Sequence, residues 1–234
     1  ILDAGITLNG GDLTLTADLG GIFEATNNTT TDITTTGPIT LTAATSIGTQ
    51  HLVSGIVTPA ASPVDLAGVN LTASANTTSG SIRLNELNDI TLQGISAGTT
   101  SGTISITAGG SILDDASNAT TLSASAIALT AANAIGATGV NNEIDAAAAT
   151  ALTLGIGTNL FLANSGDLTD LSLTSTQAGD TNVYSLSATN LTFTVTDAGT
   201  SYALTNVSDT TGLNFSFSGD EGITVNTVGA GAGN

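Results

Sequence analysis

From residue 104 to 112 the chain reads Ile-Ser-Ile-Thr-Ala-Gly-Gly-Ser-Ile, with an aliphatic residue at every second position and small hydroxyls between. The same phrase, I-x-[LI]-x-A-x-x-x-I, returns at 39–47 and 127–135. Period-two alternation marks a strand with one buried face. It predicts that Ile104, Ile106 and Ala108 point inward and that Ser105 and Thr107 point outward. Three copies of one phrase indicate an internal repeat, and the copies are expected to lie over one another.

Marking the strongest strand start in each repeat gives Ile6, Ile39, Leu71, Ile104, Ile127, Leu152, Leu171, Leu191 and Leu213. The steps between them are 33, 32, 33, 23, 25, 19, 20 and 22 residues. Low-twenties steps suit one coil of a solenoid with two or three strands per turn. The fold expected is therefore all-β: a parallel β-helix solenoid of about nine coils, with longer loops in the N-terminal half. The loops fall at 24–37, rich in Thr and Asn, and at 50–68, which holds Pro59, Pro63 and the only His. At about 4.8 Å per coil, nine coils make a rod of roughly 40 Å. Antiparallel hairpins are not expected, because whole phrases recur in the same order. The alanine run in 141–154 predicts one or two helical turns at most.

Between the phrases stand Gly11-Asp12, Asn88-Asp89, Gly109-Gly110, Gly166-Asp167, Gly179-Asp180 and Gly219-Asp220, which suit tight corners. Only 3% of residues are aromatic, so the interior is aliphatic and narrow. Four of the five phenylalanines (161, 193, 215, 217) and both tyrosines fall after a composition shift near 155. Because the short spacing continues across the shift, residues 1–234 read as one solenoid segment, with 155 as a possible subdivision. Its starting residue, Ile1, already falls within a strand-like phrase, so a segment of a longer chain is expected.

Charge narrows the partners. One basic residue, Arg83, stands against 19 acids, for a net charge of −18. Such a surface repels phosphate backbones and anionic lipid, so neither nucleic acid nor membrane insertion is expected. Without cysteine there is no disulfide and no thiolate site. That composition favours a bacterial protein outside the cell.

The phrases at 39–48, 104–115 and 127–139 resemble the repeats of filamentous-haemagglutinin-like bacterial exoproteins. The resemblance covers about 36–175 and is looser beyond, where Phe-bearing phrases also suit other β-repeat surface proteins. It implies a right-handed β-helical shaft in a giant adhesin or biofilm fibre at the bacterial cell surface. The secretion domain of that family is not recognisable in this sequence.

Candidate chemistry is sparse. Asp114-Asp115 follows a strand and a Gly-Gly turn, where paired carboxylates suit Ca²⁺. A solvated turn is the plainer reading, and Asp167/Asp170 and Asp220-Glu221 repeat it more weakly. Glu86/Asp89 and Glu143/Asp145 are spaced to flank a sugar, as in polysaccharide lyases and hydrolases built on β-helices. No aromatic platform or second base accompanies them. His51 has no partner for catalysis, and Arg83 is expected to pair with Glu86 or Asp89. Asn-x-Ser/Thr triplets at 28, 70, 76, 118, 190, 206 and 214 are what chance supplies in a Thr-rich chain. No catalytic, cofactor or metal residue is assigned, with Ca²⁺ left open.

The function expected is structural and not enzymatic: a shaft of a large surface or extracellular fibre protein serving adhesion, biofilm or sheath formation. Its partners would be further copies of itself and host or matrix glycans. The alternatives are a carbohydrate-active β-helix enzyme and tandem Ca-binding Ig-like modules. The short period argues against the Ig-like modules.

Overall fold

A computed structural model describes the backbone outside residues 3–4, 27–29, 54–55, 60–62, 69, 118–121, 140, 168–169, 176–181, 190–191, 197–201, 210–213, 219–222, 226–227 and 231–234. Side chains are described as far as residue 164, outside these and 50–62 and 149. Alternation sets the strands as expected. In Ile39–Ala43, Ile82–Glu86 and Thr103–Ala108 the aliphatic positions are buried and the residues between them reach solvent.

Twenty strands join one continuous parallel sheet that winds upon itself. Ile82 lies over Ile104, Ile104 over Ile127, and Ile127 over Leu152, at steps of 22, 23 and 25 residues. A second column runs Ile90, Ile112, Ile135, Leu160. A third runs Leu15, Leu41, Ala73, Ile95, Leu122, Ala146. From Leu41 and Ile82 onward, members of these columns are at most 2% exposed, and together they fill the interior. The result is an all-β parallel solenoid of about five turns, without helix among the described residues. A lone coil buries its apolar face on nothing, so each coil is held by its neighbours.

The three copies of the phrase do not share one face. The copies at 104 and 127 stack directly, but Ile39–Ala43 lies between Leu13–Ala17 and Asn70–Ala75. The phrase is a strand, a corner and the first residue of the next face. In one coil that last residue is Ile47, which pairs with Ile82; in another it is Ile112, which pairs with Ile90 and Ile135. Corners of this kind occur more than once per turn. Ile6 accordingly pairs with Ile33 rather than Ile39, and Leu71 with Leu92 rather than Ile104. Leu191 and Leu213 lie outside the described residues.

The second loop leaves the wall at one point. Ile82 pairs with Ile47 and Leu84 with Val64, so the wall ladder passes from Ile47 to Val64 across two successive inward positions. Within this loop Gln50–Val53 and Ile56–Pro59 form an antiparallel hairpin, against the expectation of none. The alanine run is also strand, not helix. Ile144–Ile156 is held in register by Leu122–Ala131 below it, and this pairing overrides the helical preference of alanine. The ladder crosses residue 155, where Gly155 pairs with Thr130 and Thr174.

Candidate functional site

Where the chain re-enters the wall after each loop, an acid precedes an aliphatic residue: Asp32-Ile33 and Asp65-Leu66. Ile33 pairs with Leu66, so the two aspartates fall one above the other. The Asp32 N–H donates to the Asp65 carbonyl at 2.8 Å, and the Asp65 N–H donates to Asp32 Oδ2 at 3.0 Å. Glu24, bridged in parallel to Leu2, approaches the same point from the root of the first loop. One carboxylate oxygen from each of Glu24, Asp32 and Asp65 lies within 4.8 Å of the other two. The three residues are only 1%, 8% and 8% exposed.

Burial pushes the Asp32 carboxyl above its usual range; the Asp65 amide opposes this, and the Asp65 charge adds to it. Burial raises Asp65 too, against the hydrogen bond from Asn85. That bond, Asn85 Nδ2 to Asp65 Oδ1, is 2.9 Å long. The other oxygen, Asp65 Oδ2, is buried without a hydrogen-bond partner. No positive charge enters the balance at either aspartate. Oxygen ligands alone suit a hard cation.

The candidates expected from sequence are dispersed by comparison. Asp114 takes the register position above Leu92, and Asp115 Oδ1 accepts the Ser117 N–H at 3.0 Å. Burial raises Asp145, with Glu143 and Asp114 adding to the shift, so two of the expected acid pairs share one neighbourhood. Glu86 and Asp89 do not flank a groove together. Glu86 is turned into the core, whereas Asp89 is exposed and accepts the Ser111 N–H through Oδ1. Arg83 therefore does not pair with Glu86, which lies on the opposite face of the strand with both oxygens on backbone amides. His51 pairs with Thr58 in the hairpin, and its side chain lies outside the described set, as do those of Asp167 and Asp170. Asp220, Glu221, Asn28, Asn118 and Asn190 lie outside the described residues.

The Glu24, Asp32, Asp65 cluster is absent from the sequence-based candidates because two loops separate its members along the chain. One signal was available. At Asp65 the strand places an acid between two buried aliphatics, where other strands place Thr or Ser.

No family model, no curated protein and no solved structure matches this chain. No helix among the described residues is long and apolar enough to cross a membrane.

Proposed function

We propose that the chain is a stretch of structural shaft from a large bacterial cell-surface or extracellular fibre protein, used in adhesion, biofilm or sheath formation. The observation that carries this reading is the column Ile82, Ile104, Ile127, Leu152, in which like stands over like at near-constant spacing. Such a column stiffens a rod and offers no concave site of its own. The backbone register continues through Leu171, Phe193 and Phe215, which supports extension toward nine right-handed coils.

The first coil supports axial association. Among the described residues, Leu13–Ala17 pairs with Ile39–Ala43 alone. Its inward residues Leu13, Leu15 and Ala17 are partly buried, whereas Leu41 and Ala43 above them are fully so. An open strand edge over a partly exposed core accepts another coil, from the same chain or a second copy.

Sedimentation velocity with negative-stain microscopy tests both halves of the reading. The expected result is a rod-shaped particle that associates end to end as concentration rises. Leu13→Lys with Leu15→Lys weakens the association and leaves the rod intact. A compact monomer that stays monodisperse at high concentration contradicts the proposal.

A further inference from the structure

We propose that Glu24, Asp32 and Asp65 bind one calcium-sized divalent cation, which ties the roots of the two extruded loops to the solenoid wall. Calcium–oxygen distances of about 2.4 Å place two ligands on opposite sides of the ion about 4.8 Å apart at most. All three carboxylate oxygens fall within that span of one another. Asp65 supplies the second observation. Its side chain is 8% exposed, Asn85 serves Oδ1, and Oδ2 is buried with no donor. A carboxylate oxygen in that state calls for a cation or a proton.

The chain is short of positive charge. There is no lysine, and the lone arginine adds no charge to Asp32 or Asp65. Stacking two acids in one parallel ladder, with a third acid beside them, concentrates like charge where the wall opens for a loop. A divalent ion removes most of that repulsion and joins the bridge residue Glu24 and the residue before Ile33–Thr35 to the strand Val64–Ala67. A groove of about 270 Å³, lined by Thr31, Asp65, Asn85 and Thr107, opens beside the cluster at Asp65.

Calorimetric titration of Ca²⁺ into the EDTA-stripped 234-residue chain, at physiological salt, tests this. The expected result is one saturable site and a higher melting temperature in Ca²⁺ than in EDTA. Asp65→Asn and Asp32→Asn each weaken binding about tenfold or more. Asp18→Asn, at an exposed position, leaves it unchanged. No saturable uptake by the unmodified chain overturns the proposal, and that measurement stands even if a variant fails to fold. Uptake that persists in both ligand variants overturns it too, because the ion then sits elsewhere on the acidic surface. A chain that ignores Ca²⁺ but is stabilised by Asp65→Asn shows that a proton, not a metal, balances the cluster.

Discussion

The N–H of Gly68 donates to Oε2 of Glu86 at 3.0 Å, and it comes from the coil below. The Asn88 N–H donates to Oε1 of the same carboxylate at 3.2 Å. Glu86 stands in an inward column between Leu66 and Ala108, and it is 4% exposed. A carboxylate takes an aliphatic position here because the corners of two coils present backbone amides that the ladder leaves over. Buried donors need partners, and one side chain serves both.

That arrangement predicts acid-side stability. Burial raises the Glu86 carboxyl from 4.5 to about 7, against the amides of Gly68, Asn88 and Leu87. The stack neighbours of Glu86, Leu66 and Ala108, bring no charge against it. The folded chain then holds this proton more tightly than the unfolded chain. Stability is greatest below about pH 4.5 and falls as pH rises through about 7. Asp145, also raised, acts in the same direction. Thermal melts across this window, in EDTA so that cation uptake does not enter, read the slope. Glu86→Gln makes it shallower, at a constant cost of about 1 kcal/mol, because its NH₂ must face one of the two amide donors. A melting temperature that climbs with pH through the window contradicts the assignment.

The stacked columns predict a steep contrast between inward and outward substitutions. Ile104 is fully buried between Ile82 and Ile127. Ile104→Ala leaves a cavity that the coils above and below cannot close without breaking register, and costs about 2–5 kcal/mol. Thr107, three residues on and exposed, changes stability by about 0.5 kcal/mol or less when replaced by Ala. Urea unfolding of the two variants measures the difference. Equal effects would mean that the column does not carry the fold.

Two glycines separate necessity from tolerance. Gly48 has φ of +66°, and a Cβ there would run into the Arg83 carbonyl and lie 2.9 Å from the Val64 nitrogen. Gly48→Ala is therefore destabilising by roughly 1–3 kcal/mol, from the left-handed backbone and the backbone clash together. Gly94 lies at a bulge after Leu92, and a Cβ there meets nothing within 4 Å. Gly94→Ala stabilises by about 0.4–1 kcal/mol, by restricting the unfolded chain. Paired thermal melts decide the order.

The sequence made the strand grammar legible because an aliphatic-hydroxyl alternation has one physical solution, a strand buried on one side. Faces were less legible. The phrase at 39 and the phrase at 104 are written alike, yet Ile39 sits over Leu13 and Ile104 over Ile82. Identical strands and corners recur within a turn, so the phrase does not say which face it occupies. Only the pairing of Ile47 with Ile82 resolves it. The acidic cluster was hidden for a related reason. Glu24, Asp32 and Asp65 meet because two loops leave the wall and return at neighbouring points, and loop closure leaves no periodic trace. Glu86 was visible as an acid on a strand, but its alternation with Ile82 and Leu84 already marked it as inward.

The extruded hairpin makes a final prediction about modularity. The wall ladder passes from Ile47 and Gly48 to Val64, and these two ends nearly touch. Gly48 still donates its N–H to the Ile22 carbonyl at 2.9 Å, so the ladder holds up to the point of departure. The hairpin's own pairing, Gln50–Val53 with Ile56–Pro59, is antiparallel and separate from the main sheet. Deleting 49–63 and joining Gly48 to Val64 should therefore preserve the strand signature in circular dichroism and cooperative unfolding. Removing a long loop also reduces the entropy cost of closing it on folding, which offsets part of any packing the hairpin supplied. A deletion of the same length within Ile127–Leu152, where the ladder runs from Leu122–Ala131 into Ile144–Ile156, removes strand from the stack and should abolish cooperative unfolding. If both deletions unfold the chain alike, the hairpin is part of the structural wall and the picture of a decorated rod fails.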